Sequence, residues 1–385
     1  MRSFGGVAFA DMVADIDRLR STPGNREAIA ALLAEQSPIY AGRSTGEAER
    51  LRGYLLASFE ATGLPDSAMS FVVEELESGL NPYVVAAAAK ALRGAGDLPD
   101  GLVPRLLAAI DRIRGSDDEV NFDFSTKPAS EDASSTALME LFHTLAWLGP
   151  RAAEAEAPLR AMIGQHPSGF SDRVRAAMKN ALGVVSKTNK PAHAHCCAAQ
   201  PAPIAFTAKA TTTSAGTDIG TIELQDQDGA IFSFADLFSG MPSVLTFFYS
   251  RCMNPNKCSL TITKLARLQK LIDGQGLVGR FNVAAVTYDP EFDLPRRLRT
   301  YGRDRGMSFD QHNRLVRTTG SFEPFRRWLD LGVGYGSTTV NQHRLDMVIL
   351  DDTGQPRARI ARQQWEEAEV LAILKALPGI SEITP

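Results

Sequence analysis

The chain has 385 residues, of which 44% are hydrophobic and 22% charged, and its formal net charge is −4. This length predicts two or three domains with real hydrophobic cores, and no basic cluster with interleaved aromatics suggests nucleic-acid binding. Four cysteines are too few for a disulfide scaffold. No apolar run approaches the ~20 residues of a membrane helix, and the N-terminal segment is a poor signal peptide. We therefore expect a cytoplasmic protein with reduced thiols and no membrane span.

The first part of the chain, residues 1–185, shows helical spacing of its apolar residues. Two later units each consist of an apolar helix stopped by glycine and a second helix that opens near proline. Such paired helices resemble HEAT-type repeats, and Pro82–Leu92 is the closest stretch. We predict an all-α, HEAT-like domain with the polar segment 115–132 as an insertion. Helical repeats mostly present binding surfaces, so this domain predicts a protein partner.

Residues 186–217 are rich in Lys, Pro, Ala, Thr and Ser, which predicts a flexible linker. The linker contains His193, His195, Cys196 and Cys197, which are two of the six histidines and two of the four cysteines. Four side chains that can bind a metal within five positions indicate a secondary metal site. The alternative is a linker whose composition is under no constraint.

Residues 218–380 alternate strand-like and helix-like patterns, and this order predicts an α/β domain with a mixed sheet. A turn separates the first two strands, and a buried strand follows in the middle of the domain. Two helices and a hairpin complete the pattern. The predicted strands are Ile219–Leu224, Ile231–Phe234 and Phe281–Tyr288, the hairpin spans 345–360, and the helices are Pro295–Arg305 and Glu366–Leu377.

Two cysteines follow an apolar run that is typical of a buried strand, Pro242–Tyr249. The segment Ser259–Ile272 has helical spacing, so Cys252 and Cys258 lie in a strand-to-helix turn. Backbone amides and the helix dipole near Cys258 favour a thiolate, which is the nucleophilic and metal-binding form of cysteine. The turn therefore predicts either redox chemistry or binding of a soft metal.

Four features between Gly216 and Pro378 resemble the Sco/SenC family of thioredoxin-like copper chaperones. They are the strand pair Asp226–Phe234, the cysteine turn Thr246–Thr261, the Asp-Pro segment Tyr288–Pro295, and Val340–His343 before the hairpin. The resemblance implies a thioredoxin-like fold that holds copper, as Cu(I) or Cu(II), for delivery to a partner. It implies Cys252, Cys258 and His343 as the ligands, with Asp293 supporting them from behind.

The cysteine spacing departs from the family, which has three intervening residues where this chain has five. Three intervening residues would place both thiolates on one helical face, because positions i and i+4 share a face. With five, Cys252 must lie in a loop that curls back towards Cys258, and Asn254 to Asn256 are suited to such a turn. One alternative is thiol–disulfide or peroxiredoxin-like chemistry, in which Cys252 attacks and Cys258 resolves. Another is a helical-repeat adaptor whose metal site is degenerate.

Overall fold

The computed structural model describes residues 8–22, 24–122, 134–165, 169–187, 219–362 and 364–377. The chain divides into two compact units, residues 1–204 and 205–385. The first unit is helical and the second is an α/β unit, so both predicted fold classes are confirmed. Among the described residues, no helix is both long and apolar enough to cross a bilayer.

The first unit contains nine α-helices within the described ranges. Side-chain caps define several of their starts: Ser44 forms a capping box with Glu47, and Asn81 accepts from the backbone amide of Tyr83 just ahead of the next helix. The helices are α1 Phe9–Arg20, α2 Arg26–Leu32, α3 Thr45–Thr62, α4 Asp66–Ser78, α5 Pro82–Leu92, α6 Leu102–Ile113, α7 Ala137–Leu148, α8 Glu156–Gln165 and α9 Asp172–Val185.

These helices pack in two rows, because α3, α5, α7 and α9 contact one another in succession while α2, α4 and α6 do the same. Arg52 is buried between the rows and forms ion pairs with Glu35, Glu74 and Glu75. Strand β1 Glu119–Val120, inside the predicted insertion, pairs with β2 Ser135–Thr136, which follows it. The helical stacking is as expected for repeats, and the HEAT-type assignment itself stays a prediction.

The second unit is built on a seven-stranded mixed sheet with strand order β11-β10-β5-β6-β7-β3-β4, and a separate two-stranded sheet joins β8 to β9. Its strands are β3 Glu223–Asp226, β4 Ile231–Ser233, β5 Ser243–Phe248, β6 Asn282–Thr287, β7 Asn313–Thr318, β8 Val333–Tyr335, β9 Val340–His343, β10 Asp346–Leu350 and β11 Pro356–Ala361. Its helices are α10 Phe234–Phe238, α11 Leu260–Gly274, α12 Pro295–Arg303, α13 Glu323–Trp328 and α14 Glu367–Lys375.

The centre of the sheet is parallel: β5 pairs with β6, and β6 with β7, while the outer strands pair antiparallel. Every residue of β5 and β6 is buried. Since the carboxyl ends of parallel neighbours meet at one edge of a sheet, the loops after β5 and β6 lie side by side. This is the thioredoxin-like arrangement that the sequence predicted, and that edge carries the site.

Three local predictions differ from the structure. Ile219–Thr221 is a 3-10 turn and the strand starts only at Glu223, so the predicted strand begins too early. Phe234 opens helix α10 because Ser233 and Asp236 form a capping box there. Strand β7 was not predicted, since its arginines and asparagine interrupt the apolar pattern.

Candidate metal centre

The two cysteines lie in the connection between β5 and α11. After the buried strand, Cys252 donates its backbone amide to the carbonyl of Tyr249, with an N–O distance of 3.3 Å. Cys258 lies in a π-helical turn, Pro255–Ser259, that leads directly into α11. Cys252 is half-buried, Cys258 is fully buried, and both are free thiols. The strand-to-helix turn predicted from the sequence is therefore present.

The five intervening residues are accommodated by two local devices. The Asn254 side chain accepts a hydrogen bond from the backbone amide of Asn256 at 2.9 Å, which tightens the first half of the loop. The π-helical turn then includes Lys257 with φ −110° and ψ −109°, outside helical values. Gln364 holds the same segment through a 2.7 Å hydrogen bond to the carbonyl of Asn256. The loop thus turns back on itself, as the sequence requires.

His343 ends β9 and approaches the cysteines from the small separate sheet. Its Nε2 is 3.3 Å from the sulfur of Cys258 and 3.7 Å from the sulfur of Cys252. The three ligand atoms all lie within 4.8 Å of one another. The Tyr249 ring meets the imidazole edge to face, with centroids 5.0 Å apart. His343 is only 8% exposed, so its ring is fixed by packing against aromatic side chains.

The two thiols differ strongly in acidity. The Cys258 thiol, which hydrogen-bonds to Cys252, and the nearby His343 imidazole lower the pKa of Cys252 to about 3. Burial, and then the neighbouring Cys252, raise the pKa of Cys258. The expectation that the helix N-terminus would ionise Cys258 is therefore wrong, because desolvation outweighs the helix dipole at this fully buried position. Cys252 is therefore the more acidic of the two thiols.

Asp293, in the loop after β6, supports the cysteine loop from behind. Its buried carboxylate accepts from the backbone amide of Ser250 at 3.1 Å and also bonds the hydroxyls of Ser250 and Thr287. Burial raises the pKa of this carboxyl against the lowering effect of those donors. Asp293 is not a ligand, since it contacts the residue two positions before Cys252 rather than a sulfur.

A second connection joins the cysteine loop to the hairpin that carries His343. Arg251 pairs with Asp289 through Nε at 2.9 Å and donates from Nη2 to the carbonyl of Thr338 at 3.0 Å. Its guanidinium also lies 4.1 Å from the centre of the Phe292 ring. Because Thr338 lies in the turn between β8 and β9, Arg251 ties the elements that hold Cys252 and His343.

Of the predicted site residues, Cys252, Cys258 and His343 lie together, while His193, His195, Cys196 and Cys197 lie outside the described residues. Sequence reasoning missed the contribution of Arg251 and Asp289. The signal available for Asp289 was the Asp-Pro segment, of which only Asp293 was singled out. Nothing in the sequence marked Arg251, because its partners are 38 and 87 positions away.

The fold and the site define a thioredoxin-like domain with a buried cluster of two cysteines and one histidine. Residues 211–378 match the model of the family described as SCO1/SenC. The match covers the C-terminal part of the chain, where the sequence predicted the resemblance to this family. A search of curated proteins found no match to the chain.

Several solved structures resemble this region. A SCO1/SenC family lipoprotein from Bacillus anthracis is 20% identical and has a TM-score of 0.36, with 41% of this chain and 93% of that chain covered. Bradyrhizobium japonicum ScoI with copper bound is 21% identical, with a TM-score of 0.31 and coverage of 40% and 95%. Yeast Sco1 with copper bound is 21% identical, with a TM-score of 0.33 and coverage of 42% and 90%.

Proposed function

We propose that the SCO1/SenC domain binds one Cu(I) ion through Cys252, Cys258 and His343 and holds it for delivery to a partner protein. The observation that carries this proposal is the convergence of two sulfurs and one imidazole nitrogen within 4.8 Å. Soft sulfur ligands in a site of low coordination number favour Cu(I) over harder or higher-coordinate ions. The family resemblance points to the same metal.

The distances support a shared metal ion. With metal–sulfur bonds of about 2.3 Å and a metal–nitrogen bond of about 2.0 Å, values typical of zinc sites, a trigonal arrangement separates sulfur and nitrogen by about 3.7 Å. The same arrangement separates the two sulfurs by about 4.0 Å. The nitrogen of His343 lies 3.3 and 3.7 Å from the sulfurs, so a trigonal ion needs only small movements.

Each residue has a distinct part in binding. Cys252 supplies a thiolate, since its pKa is lowered to about 3 by the Cys258 thiol and His343. Cys258 must release its proton as the metal binds, which makes loading pH-dependent. His343 supplies the third donor through Nε2. The low exposure of Cys258 and His343 keeps water from two of the three ligands.

Anaerobic titration with Cu(I) in competition with a chromogenic chelator tests this proposal. We expect one tightly bound ion per chain, and a loss of at least about tenfold in affinity, ~1.4 kcal/mol, for His343→Ala. His312→Ala is the matched control, because that imidazole hydrogen-bonds Asn282 at the start of β6, the end of the strand opposite the loop that supports the site. Tight Cu(I) binding by a chain lacking all three ligands would refute the assignment, and tighter Zn(II) than Cu(I) binding would refute the metal.

Thiol–disulfide exchange is a second candidate function, and the asymmetry of the two cysteines favours it. Cys252 is half-buried with a lowered pKa, whereas Cys258 is fully buried with a raised pKa. This is the pattern of an attacking thiolate and a resolving thiol. Peptide mapping after mild oxidation should recover a Cys252–Cys258 disulfide, and full retention of both thiols would exclude this function.

Three further expectations extend the proposal. The cluster His193 to Cys197 would be a weaker secondary copper site, and its deletion should lower total copper stoichiometry.

The helical unit would bind the partner, and Trp147 is a suitable contact because it is 36% exposed on α7. A photo-crosslinker at position 147, compared with one at exposed position 273, tests that contact. The cytoplasm stays the predicted compartment, which cell fractionation tests.

A further inference from the structure

Met253 is the residue directly after Cys252, and its side chain is 92% exposed. Burying a methionine side chain normally stabilises a fold, and the exposed side chain of Met253 contributes nothing of this kind. The surrounding loop is nevertheless ordered by the Asn254 turn. An exposed thioether on a fixed loop beside a thiolate therefore has no evident role in packing.

The burial of the three ligands defines the direction from which a metal ion can approach. Cys258 is fully buried and His343 is 8% exposed, whereas Cys252 is half-buried. An ion must therefore reach the cluster, and leave it, on the side of Cys252. Met253 follows Cys252 directly, with its Cα about 3.8 Å from that of Cys252 across one peptide bond, and its side chain faces solvent. Three rotatable side-chain bonds allow its sulfur to swing towards the cluster.

We propose that Met253 is an outer ligand through which Cu(I) enters and leaves the cluster, an inference that rests on the proposed function. A thioether is a soft and neutral donor, so it suits Cu(I) without adding charge. During exchange, the sulfur of Met253 donates an electron pair as His343 Nε2 withdraws its own. Copper stays Cu(I), no covalent bond of the protein changes, and the Cys258 proton passes to water on loading.

A ligand that binds the ion only during transfer changes the rate of loading and the rate of release by the same factor. Removing it raises the barrier for loading and for release by the same amount, so the affinity stays constant. A residue with a structural role would instead change the affinity, because it would alter the arrangement of Cys252 with its partner ligands. The ratio of the two rates therefore separates the two roles.

Stopped-flow kinetics with the full-length chain under anaerobic conditions test the proposal. Loading is followed with a Cu(I)–bicinchoninate donor and release with excess bicinchoninate. For Met253→Leu, which keeps the shape and removes the sulfur, both rates should fall about tenfold, equivalent to ~1.4 kcal/mol of barrier. Met241→Leu is the matched control, because this half-buried methionine precedes β5 at the opposite end of the strand.

The outcomes separate this inference from the proposed function. Unchanged rates for Met253→Leu, in a chain that binds Cu(I) tightly, would overturn the inference and leave the proposed function intact. An altered affinity with only one rate affected would also overturn it, since that is the signature of a structural role. A wild-type chain that fails to bind Cu(I) would overturn both.

Discussion

Replacing Asp293 tests whether the network behind the cysteine loop holds the site together. The carboxylate receives three hydrogen bonds, from the amide and hydroxyl of Ser250 and from the hydroxyl of Thr287, and it is fully buried. A hydrogen bond to a charged group contributes about 1.5–3 kcal/mol, and the desolvation that raises the pKa of Asp293 offsets part of this. Taking the low end, Asp293→Ala should cost about 3–5 kcal/mol, and Asp293→Asn about half of that.

The unfolding of the second unit can be measured in the full chain. The three tryptophans are Trp147, in the helical unit, and Trp328 and Trp365, in the α/β unit. In a Trp147→Phe background, tryptophan fluorescence in urea therefore reports only the unit that contains Asp293. Asp273→Asn, at an exposed position, is the matched control and should change stability by less than about 0.5 kcal/mol.

The pH dependence gives a second check on the same carboxyl. Burial raises the pKa of Asp293 above its unfolded value of 3.8, so the folded state binds this proton more tightly. Its contribution to stability is therefore full below 3.8 and falls as pH rises through the folded pKa. The stability difference between wild type and Asp293→Asn should shrink over that window. A difference that grows with pH, or an Asn variant as stable as the Asp273→Asn control, would refute the reasoning.

Three further predictions concern other parts of the chain. Cys252 should react with iodoacetamide even in mildly acidic buffer, because its pKa is lowered to about 3. Cys258, whose pKa is raised by burial, should react only after unfolding. Equal labelling of the two cysteines in the folded protein would contradict this prediction. Arg251→Ala should weaken Cu(I) binding about tenfold, ~1.4 kcal/mol, by loosening the contact with the Thr338 turn, and Arg251→Lys should restore it only in part. Arg52→Met should destabilise the helical unit by about 3–5 kcal/mol, because it removes the buried cation that pairs with three buried carboxylates. Urea unfolding followed by Trp147 fluorescence, in a background with Trp328→Phe and Trp365→Phe, would measure this loss.

The elements that the sequence predicted well are those whose pattern is local. The strand predicted at Pro242–Tyr249 became β5 because its run of apolar residues is buried on both faces. Helix α5 starts and ends where Pro82 and Leu92 indicated. Strand β7 escaped prediction because its arginines pair with groups far along the chain, such as Asp226. Its polar residues therefore belong to the sheet for reasons that no local pattern contains.

The residues of the candidate site could be predicted from the sequence, whereas their spatial arrangement could not. The strand-to-helix turn singled out Cys252 and Cys258, and the family resemblance added His343 as the third ligand. Their spacing of five residues could not predict a π-helical turn, since that depends on Lys257 adopting an unusual conformation. The raised pKa of Cys258 was not predicted, because the burial that causes it is a tertiary property.

The position of His343 on a separate sheet makes a bound ion a long-range cross-link. Cys252 and His343 are 91 positions apart, whereas the two cysteines are only six apart. In the chain-entropy description, closing a loop of that larger size stabilises the fold by about 4.6 kcal/mol, against about 2.2 kcal/mol for the short loop. A chain that carries an ion should therefore melt at a distinctly higher temperature than the same chain with its cysteines oxidised to a disulfide.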